Sequence, residues 1–319
     1  MSENTQTFLN NFTNISLEDL LLCQSTIEVQ LVLIAFYSLF WMIVLPRLAD
    51  LFKIYIDKQT WKEQWITLNK IAYKKALFID YELREDAYEM ARLFLVVAIQ
   101  HGTGGILASF SILPDNINNY LGLSKNLIYS LACHGALSET GYELQDYIIR
   151  ISQYLFKKDG WKRSPPTLLL MMSLHHFSGF FLIVPLNLKF RDSFYYHELI
   201  FLMQFAACIS LILTNYGQLL NIEDENGLRQ MKVVSTLTFI VILWSRIIRF
   251  CYVVYLLVCL SFIQESFNFT MFLIFSCFTI FVINFLFFAE SYRKFIKFIY
   301  MKPGHVKMRD VLDENFKED

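Results

Sequence analysis

Two neighbouring apolar stretches of the sequence carry residues capable of acid–base chemistry. In the first stretch, four polar residues at helical spacing fall within about 120° of one another: His134, Ser138, Tyr142 and Asp146. The second stretch carries the adjacent pair His175 and His176. A carboxylate beside an imidazole fixes the tautomer of the ring and raises its basicity. Asp146 and the histidine pair are therefore the candidates for a catalytic acid–base site.

The estimated depths of Asp146 and the histidine pair in a membrane favour a contact between them. His175 and His176 follow Pro165 and Pro166, where a helix can start, by nine or ten residues, which is about 14 Å. Asp146 lies at a similar distance from the end of its own helix. We therefore expect all three side chains in the inner half of the membrane, facing the bundle interior. The alternative to catalysis is a structural lock between two helices.

The composition of the chain indicates that these helices lie in a bilayer. Of 319 residues, 55% are apolar and only 18% are charged, and the mean hydropathy is +0.40, which excludes an ordinary soluble domain. Seven windows contain the roughly 20 apolar residues that a spanning helix needs. They are 29–50, 90–112, 127–149, 166–187, 198–220, 233–262 and 268–291. Because the runs are continuous, we predict an all-α polytopic membrane protein with about seven transmembrane helices.

The distribution of basic residues predicts the orientation of the bundle. Of 28 Lys and Arg residues, 23 fall in the C-terminal tail and in the loops after the first, third and fifth spans, and 3 fall on the opposite side. Basic residues favour the inner side of a membrane, so we predict the N-terminus outside and the C-terminus inside. The acidic residues number 29 and the net charge is −1, so nothing in the charge indicates a nucleic-acid partner.

Three regions are predicted along the chain. Residues 1–89 comprise an outer N-terminal segment, the first transmembrane helix and an inner segment. Residues 90–291 form a six-helix membrane domain, and residues 292–319 form a charged inner tail. The mixture of apolar residues and lysines in 47–89 is typical of an amphipathic helix at the inner membrane interface. A solvated helical connector is the alternative.

Other residues in the predicted spans have less bearing on catalysis. Arg246 and Arg249 are three residues apart and share a face. Arg249 can reach the outer surface, whereas Arg246 needs a carboxylate, carbonyl groups, water or a lipid headgroup. Glycines 102, 104 and 105 indicate close helix packing. A glycine-rich nucleotide site would follow a strand, and no strand is predicted before them. The six cysteines show no CxxC spacing, so we expect neither a metal site nor a disulfide framework.

The order and spacing of these motifs resemble the TLC domain family, which includes ceramide synthases and translocating-chain-associating membrane proteins. The resemblance rests on Gly141-Tyr142-x-x-x-Asp146, the pair His175-His176, Asn215 in a short polar motif and Arg246. It covers about residues 90–290. It implies a barrel of six helices around a cavity that holds an acyl chain. The residues implied to line that cavity are His134, Ser138, Tyr142, Asp146, His175, His176, Asn215 and Arg246.

One departure from the family bears on activity. Ceramide synthases carry an HDxxD run on the helix after the histidine pair, whereas residues 205–218 here contain no acidic residue. Acyl transfer from a thioester to an amine requires a general base and stabilisation of the developing charge. We therefore predict a non-catalytic membrane protein that binds phospholipid or an acyl lipid in its barrel, is an accessory subunit of a larger membrane complex, or both. No other cofactor is expected.

Two other functions stay open at this point. The first is an acyl-CoA-dependent N-acyltransferase with a rearranged site, in which His175, His176 and Asp146 are the catalytic candidates. The second is a transporter or receptor. The expected partners are membrane lipids and other membrane subunits.

The compartment is either the endoplasmic reticulum membrane or the mitochondrial inner membrane. Three glycosylation sequons, at Asn11, Asn14 and Asn268, fall on the predicted outer side, which favours the secretory pathway. Mitochondrial inner-membrane proteins follow the same charge rule with the matrix as the inside, so the predicted orientation fits both membranes.

Overall fold

The computed structural model describes residues 12, 14–77, 79, 81 and 84–304, and every regular element among them is a helix. The first five helices are α1 (Leu17–Leu21), α2 (Ile27–Ile56), α3 (Lys62–Leu77), α4 (Arg84–Ser109) and α5 (Asp115–Tyr120). The next four are α6 (Lys125–Phe156), α7 (Gly160–Arg163), α8 (Pro166–Lys189) and α9 (Phe194–Gly217). A π-helical segment, Leu243–Ile248, joins α10 (Glu225–Ile242) to α11 (Arg249–Gln264), and α12 (Phe267–Ile299) follows. The sequon at Asn11 and residues 305–319 of the predicted tail lie outside the described residues.

Six stretches of the described chain are long and apolar enough to cross a membrane. They are Ile27–Ile56, Arg84–Ser109, Pro166–Lys189, Phe194–Gly217, Glu225–Gln264 and Phe267–Ile299. The chain is therefore an all-α polytopic membrane protein, as the sequence predicts. The remaining predicted span, 127–149, lies within α6, which has 32 residues but many polar ones. Because α6 packs against α2, α4, α8 and α9, most of its polar residues lie inside the bundle.

Capping side chains determine where several of these helices begin. Thr26, Ser124, Asp224 and Ser266 each accept a hydrogen bond from the backbone N–H three residues further on. Such a bond satisfies one of the N–H groups that the first turn leaves unpaired. Pro166 occupies the first turn of α8, where its missing N–H costs nothing.

The inner segment differs from the predicted interfacial helix. It consists of the last turns of α2, the separate helix α3 and the start of α4. Trp65 and Ile66 of α3 are almost fully buried in a core with Ile56, Tyr88 and Leu168. The apolar face of α3 therefore packs on the protein, because aromatic side chains of α4 and aliphatic side chains at the start of α8 cover it.

Glycines allow α6 to approach its neighbours at backbone distance. A Cβ atom at Gly141 would lie 2.8 Å from the Ser38 nitrogen and 2.9 Å from the Ile34 oxygen of α2. A Cβ atom at Gly135 would lie 2.7 Å from the Gly104 oxygen of α4. These are main-chain atoms, so no side-chain rotation relieves the contact. The close packing predicted at Gly104 is confirmed.

Replacing Gly141 with alanine is expected to lower the free energy of unfolding by about 1–3 kcal/mol, because overpacking forces α2 and α6 apart. Gly102→Ala is the matched control, since its Cβ would meet only the Cys208 sulfur, a side-chain atom, at 3.1 Å. Both variants gain the same helix propensity, so their difference reports the contact alone. Thermal unfolding of the detergent-solubilised protein, followed by circular dichroism, provides the measurement. Equal Tm values for the two variants would contradict the backbone contact.

Candidate functional site

Seven ionisable residues inside the bundle lie along one face of α6 and on two helices that it contacts, and we call this group the interior cluster. It consists of Glu139, Glu143, Asp146 and Arg150 on α6, His101 on α4, and His175 and His176 on α8. The four α6 residues are spaced by four, three and four positions, so they follow one face of the helix. A charge in a spanning helix is costly unless it is paired, so the partner of each group is informative.

The end of the interior cluster nearer the start of α6 joins α6 to α4. Gln100 donates a hydrogen bond from Nε2 to Oε2 of Glu139 over 2.7 Å. The Nδ1 atom of His101 lies 3.0 Å from the same oxygen. Glu139 thus has two partners from α4.

The end of the interior cluster nearer the end of α6 joins α6 to α8. Arg150 donates from Nε to Oδ2 of Asp146 over 2.8 Å, and Nε2 of His176 lies 3.2 Å from that oxygen. The side chain of Arg150 is only 7% exposed. Asp146 and His176 are therefore in direct contact. The sequence predicts the contact between Asp146 and His176 from their equal depth alone. The structure adds Arg150 as a second partner of Asp146.

Glu143 lies between these two ends, and its Oε2 atom has no hydrogen-bond partner among the described residues. Its Oε1 atom is 3.7 Å from Nδ1 of His176 and 4.0 Å from Nε2 of His175. Its Oε2 atom and the Nδ1 atoms of both histidines are buried without a hydrogen bond. Gly179 provides the space for this carboxylate, since a Cβ atom there would lie 2.5 Å from Oε2.

One donor atom from each of Glu143, His175 and His176 lies within 4.8 Å of the others, a spacing at which the three residues could hold a metal ion. The expectation of no metal site rested on the cysteines, which are all free. It did not consider Glu143. The signal in the sequence is the spacing of Glu143 four residues after Glu139 and three before Asp146, which puts it on the carboxylate face.

His134 and Ser138 do not join the interior cluster, although the sequence places them on one stripe with Asp146, whereas Tyr142 meets it through an edge contact with the His101 ring, at 5.9 Å between centroids. His134 contacts the Tyr37 hydroxyl at 3.1 Å and the Leu21 carbonyl at 2.9 Å. Ser138 accepts a hydrogen bond from the Trp41 indole over 2.9 Å. Tyr142 packs among apolar residues of α2 and α4. These three side chains thus hold the first membrane helix, α2, against α6.

The separation of the stripe follows from helix geometry. Residues spaced by four advance about 40° around a helix at each step, so Asp146 is rotated about 120° from His134. A helix with neighbours on several sides presents these two positions to different partners. His134 consequently faces α2, while Asp146 faces α8.

Asn215 and Arg246 also lie apart from the histidine pair. Asn215 donates to the Leu211 carbonyl of its own helix. Arg246, in the π-helical segment, donates from Nη2 to the Met203 carbonyl over 2.7 Å and from Nη1 to Oδ1 of Asn284 over 3.1 Å. A carbonyl group is one of the partners that the sequence predicts for this buried arginine.

Arg249 reaches the same neighbouring helix as Arg246. It donates to both carboxylate oxygens of Glu198 in α9, over 2.6 and 3.0 Å. The two arginines therefore share a face, as their spacing predicts. Sequence reasoning did not identify Glu198 as the partner of Arg249. Glu198 belongs to the first turns of α9, near the predicted outer end of that helix.

The chain matches no protein-family model, no curated protein and no solved structure.

Proposed function

We propose that this chain is a non-catalytic membrane protein whose interior cluster locks its helices together and whose bundle binds membrane lipid, alone or as a subunit of a larger membrane complex. The observation that carries the proposal is the state of Asp146. Its Oδ2 atom is engaged by both Arg150 and His176, so this carboxylate serves as the partner of a buried guanidinium and of an imidazole. A carboxylate held in such an ion pair is a weaker base than a free one, whereas general-base catalysis needs a basic lone pair within reach of a substrate proton.

The resemblance to the TLC family, which rests on motifs alone, is compatible with this role. The residues of those motifs serve as helix contacts: Asp146 and His176 join α6 to α8, and Gly141 admits α2. The acidic run that ceramide synthases carry after the histidine pair is missing from α9 between residues 205 and 218. A scaffold of this kind retains the shape of the bundle without the acid–base apparatus.

The lipid site that we propose is an apolar groove between α11 and α12. The groove has a volume of about 330 Å³. Its walls are aromatic and aliphatic side chains together with two cysteines: Phe250, Cys251, Val254, Tyr255 and Val258 of α11, and Ile274, Cys277, Phe278 and Phe281 of α12. A groove with such walls between two spanning helices suits an acyl chain, because burying apolar surface is its main source of affinity.

Native mass spectrometry after gentle solubilisation tests lipid binding. We expect wild-type protein to retain a lipid adduct and Val254→Trp, which fills the groove, to lose most of it. Ile240→Trp is the matched control, because Ile240 is exposed on α10 and does not line the groove. A wild-type protein without lipid, or an unchanged adduct in Val254→Trp, would contradict the proposal. The same spectra report partner subunits that survive solubilisation.

The proposed orientation makes a separate prediction. A tag at the C-terminus is expected to be accessible to protease only from the basic side of the membrane, and an N-terminal tag only from the opposite side, because 23 of 28 basic residues lie on one side. Protease protection of tagged protein in sealed vesicles measures this directly. Both tags on the same side would overturn the predicted seven-span topology.

One observation favours acyl transfer as a second candidate function. Oε2 of the buried Glu143 carboxylate has no hydrogen-bond partner among the described residues, and two imidazoles lie within about 4 Å of its Oε1 atom. If Glu143 replaced the missing acidic run, the wild-type protein would convert a long-chain acyl-CoA and a sphingoid base into an N-acylated product. Glu143→Gln would abolish that product without changing Tm.

A further inference from the structure

We propose that Glu143, His175 and His176 bind a divalent transition-metal ion, with Zn²⁺ as the representative ion. The site is independent of the lipid groove, which lies between α11 and α12. Each of its three residues has one buried atom without a hydrogen bond among the described residues. These atoms are Oε2 of Glu143 and Nδ1 of His175 and of His176.

The distances leave a place for an ion between α6 and α8. Oε1 of Glu143 is 3.7 Å from Nδ1 of His176 and 4.0 Å from Nε2 of His175, and all three donor atoms fall within 4.8 Å of one another. In a tetrahedral zinc site with bonds of about 2.0–2.2 Å, ligand atoms are about 3.3 Å apart. The two distances from Oε1 exceed that spacing by only about 0.4 and 0.7 Å.

The geometry around His176 leaves a place for a cation on its Nδ1 side. Because Nε2 lies 3.2 Å from the Asp146 carboxylate, the proton of a neutral ring belongs on Nε2. The lone pair of Nδ1 then faces the Glu143 carboxylate with nothing between them. Two electron-rich atoms that face each other in a buried site repel, whereas a metal ion between them accepts both lone pairs.

Asp146 occupies the position of an outer-shell partner. A metal-binding histidine usually donates its second ring N–H to a carboxylate or carbonyl, which orients the ring and strengthens the ligand. His176 has this arrangement with Asp146, and Arg150 holds Asp146 in turn. The ligand ring is therefore already oriented before any ion arrives.

Burial and charge also favour an ion here. The side chains of Glu143 and His176 are each 7% exposed. The interior cluster contains three carboxylates and one arginine, so it has an excess of negative charge when its histidines are neutral. The glycine at 179 leaves the space that the Glu143 carboxylate occupies.

The chemistry of the donors selects the class of ion. Two imidazole nitrogens and one carboxylate oxygen suit Zn²⁺, Co²⁺ or Fe²⁺, whereas Ca²⁺ and Mg²⁺ prefer sites made entirely of oxygen. Three protein ligands leave one coordination position open for water or another small ligand. In this protein the ion would join α6 to α8 at the point where hydrogen bonds are missing.

The test uses purified full-length protein in detergent, stripped with a chelator and dialysed against Zn²⁺ or Co²⁺ alone. Metal content is measured by mass spectrometry, and the Co²⁺ form is examined by visible absorption. We expect about one ion per chain and a tetrahedral Co²⁺ spectrum without thiolate charge-transfer bands. No bound ion in wild-type protein would overturn the proposal and would indicate a doubly protonated His176 instead. Thiolate bands would assign the ion to cysteines and would overturn it as well.

Variants locate the ion. Glu143→Gln and His175→Gln are expected to lower the affinity for Co²⁺ at least about tenfold, because each removes a ligand. Glu139→Gln is the matched control, since Glu139 lies one turn away on the same helix and bonds to α4. Should Glu143→Gln fail to fold, Gly179→Ala displaces the same carboxylate and serves in its place. Wild-type affinity in both Glu143→Gln and His175→Gln would contradict the site.

Discussion

Replacing Asp146 with asparagine is expected to lower the free energy of unfolding by about 3–5 kcal/mol, because the buried Arg150 loses the charge that compensates it. This exceeds the roughly 0.6–2 kcal/mol of an interhelical hydrogen bond in a membrane, since a guanidinium is left unpaired. Unfolding of the detergent-solubilised protein by a titrated denaturing detergent gives the free-energy difference.

A second substitution shows whether the loss arises from the unpaired charge. Asp146→Asn combined with Arg150→Met removes both charges and is expected to recover most of the lost stability, since apolar replacement of a buried ion pair is often neutral. Glu85→Gln is the exposed control. The Glu85 side chain, 78% exposed, pairs with Arg84, and its loss should change stability by less than about 1 kcal/mol. A double variant as unstable as Asp146→Asn would contradict the lock.

The second large effect is expected at Asn284. Replacing Asn284 with leucine should lower the free energy of unfolding by about 1–3 kcal/mol or more, because Arg246 loses a buried acceptor at 3.1 Å. The structure describes only neutral partners for Arg246, namely this amide oxygen, the Met203 carbonyl and the Met203 sulfur. The Arg246 charge therefore depends on neutral acceptors.

Thr279→Val is the control for Asn284→Leu. Thr279 lies on the same helix, α12, is half-buried, and bonds only to the Phe275 carbonyl of that helix among the described residues. Its replacement should leave the unfolding transition within about 0.5 kcal/mol of wild type. Comparable losses in both variants, measured in the same denaturing-detergent titration, would show that Asn284 has no special role with Arg246.

The sequence is most informative where a single physical property decides the outcome. Long apolar runs predict the spanning helices because lipid satisfies no backbone hydrogen bonds. Equal depth in the membrane is enough to pair Asp146 with His176, and a spacing of three residues is enough to place Arg246 and Arg249 against one helix, α9.

The sequence is less informative where the packing angle between helices decides. His134 and Asp146 begin on one stripe, yet a drift of about 40° per step turns them to different neighbours. Glu143 escapes notice because its importance comes from the two histidines of α8, which are more than 30 residues away in the chain. Spacing alone would have identified Arg150, four residues after Asp146, as the partner that fixes this carboxylate.

Product analysis with purified wild-type protein, a labelled long-chain acyl-CoA and sphingoid bases tests the central claim most directly, namely that the interior cluster locks helices together and performs no acyl transfer. We predict no N-acylated product above the level of a protein-free control. The protein used in the assay must show a cooperative thermal transition, which demonstrates that it is folded. The contradictory result is a product formed by wild-type protein that disappears in the double variant Asp146→Asn, Arg150→Met while that variant unfolds at the wild-type temperature.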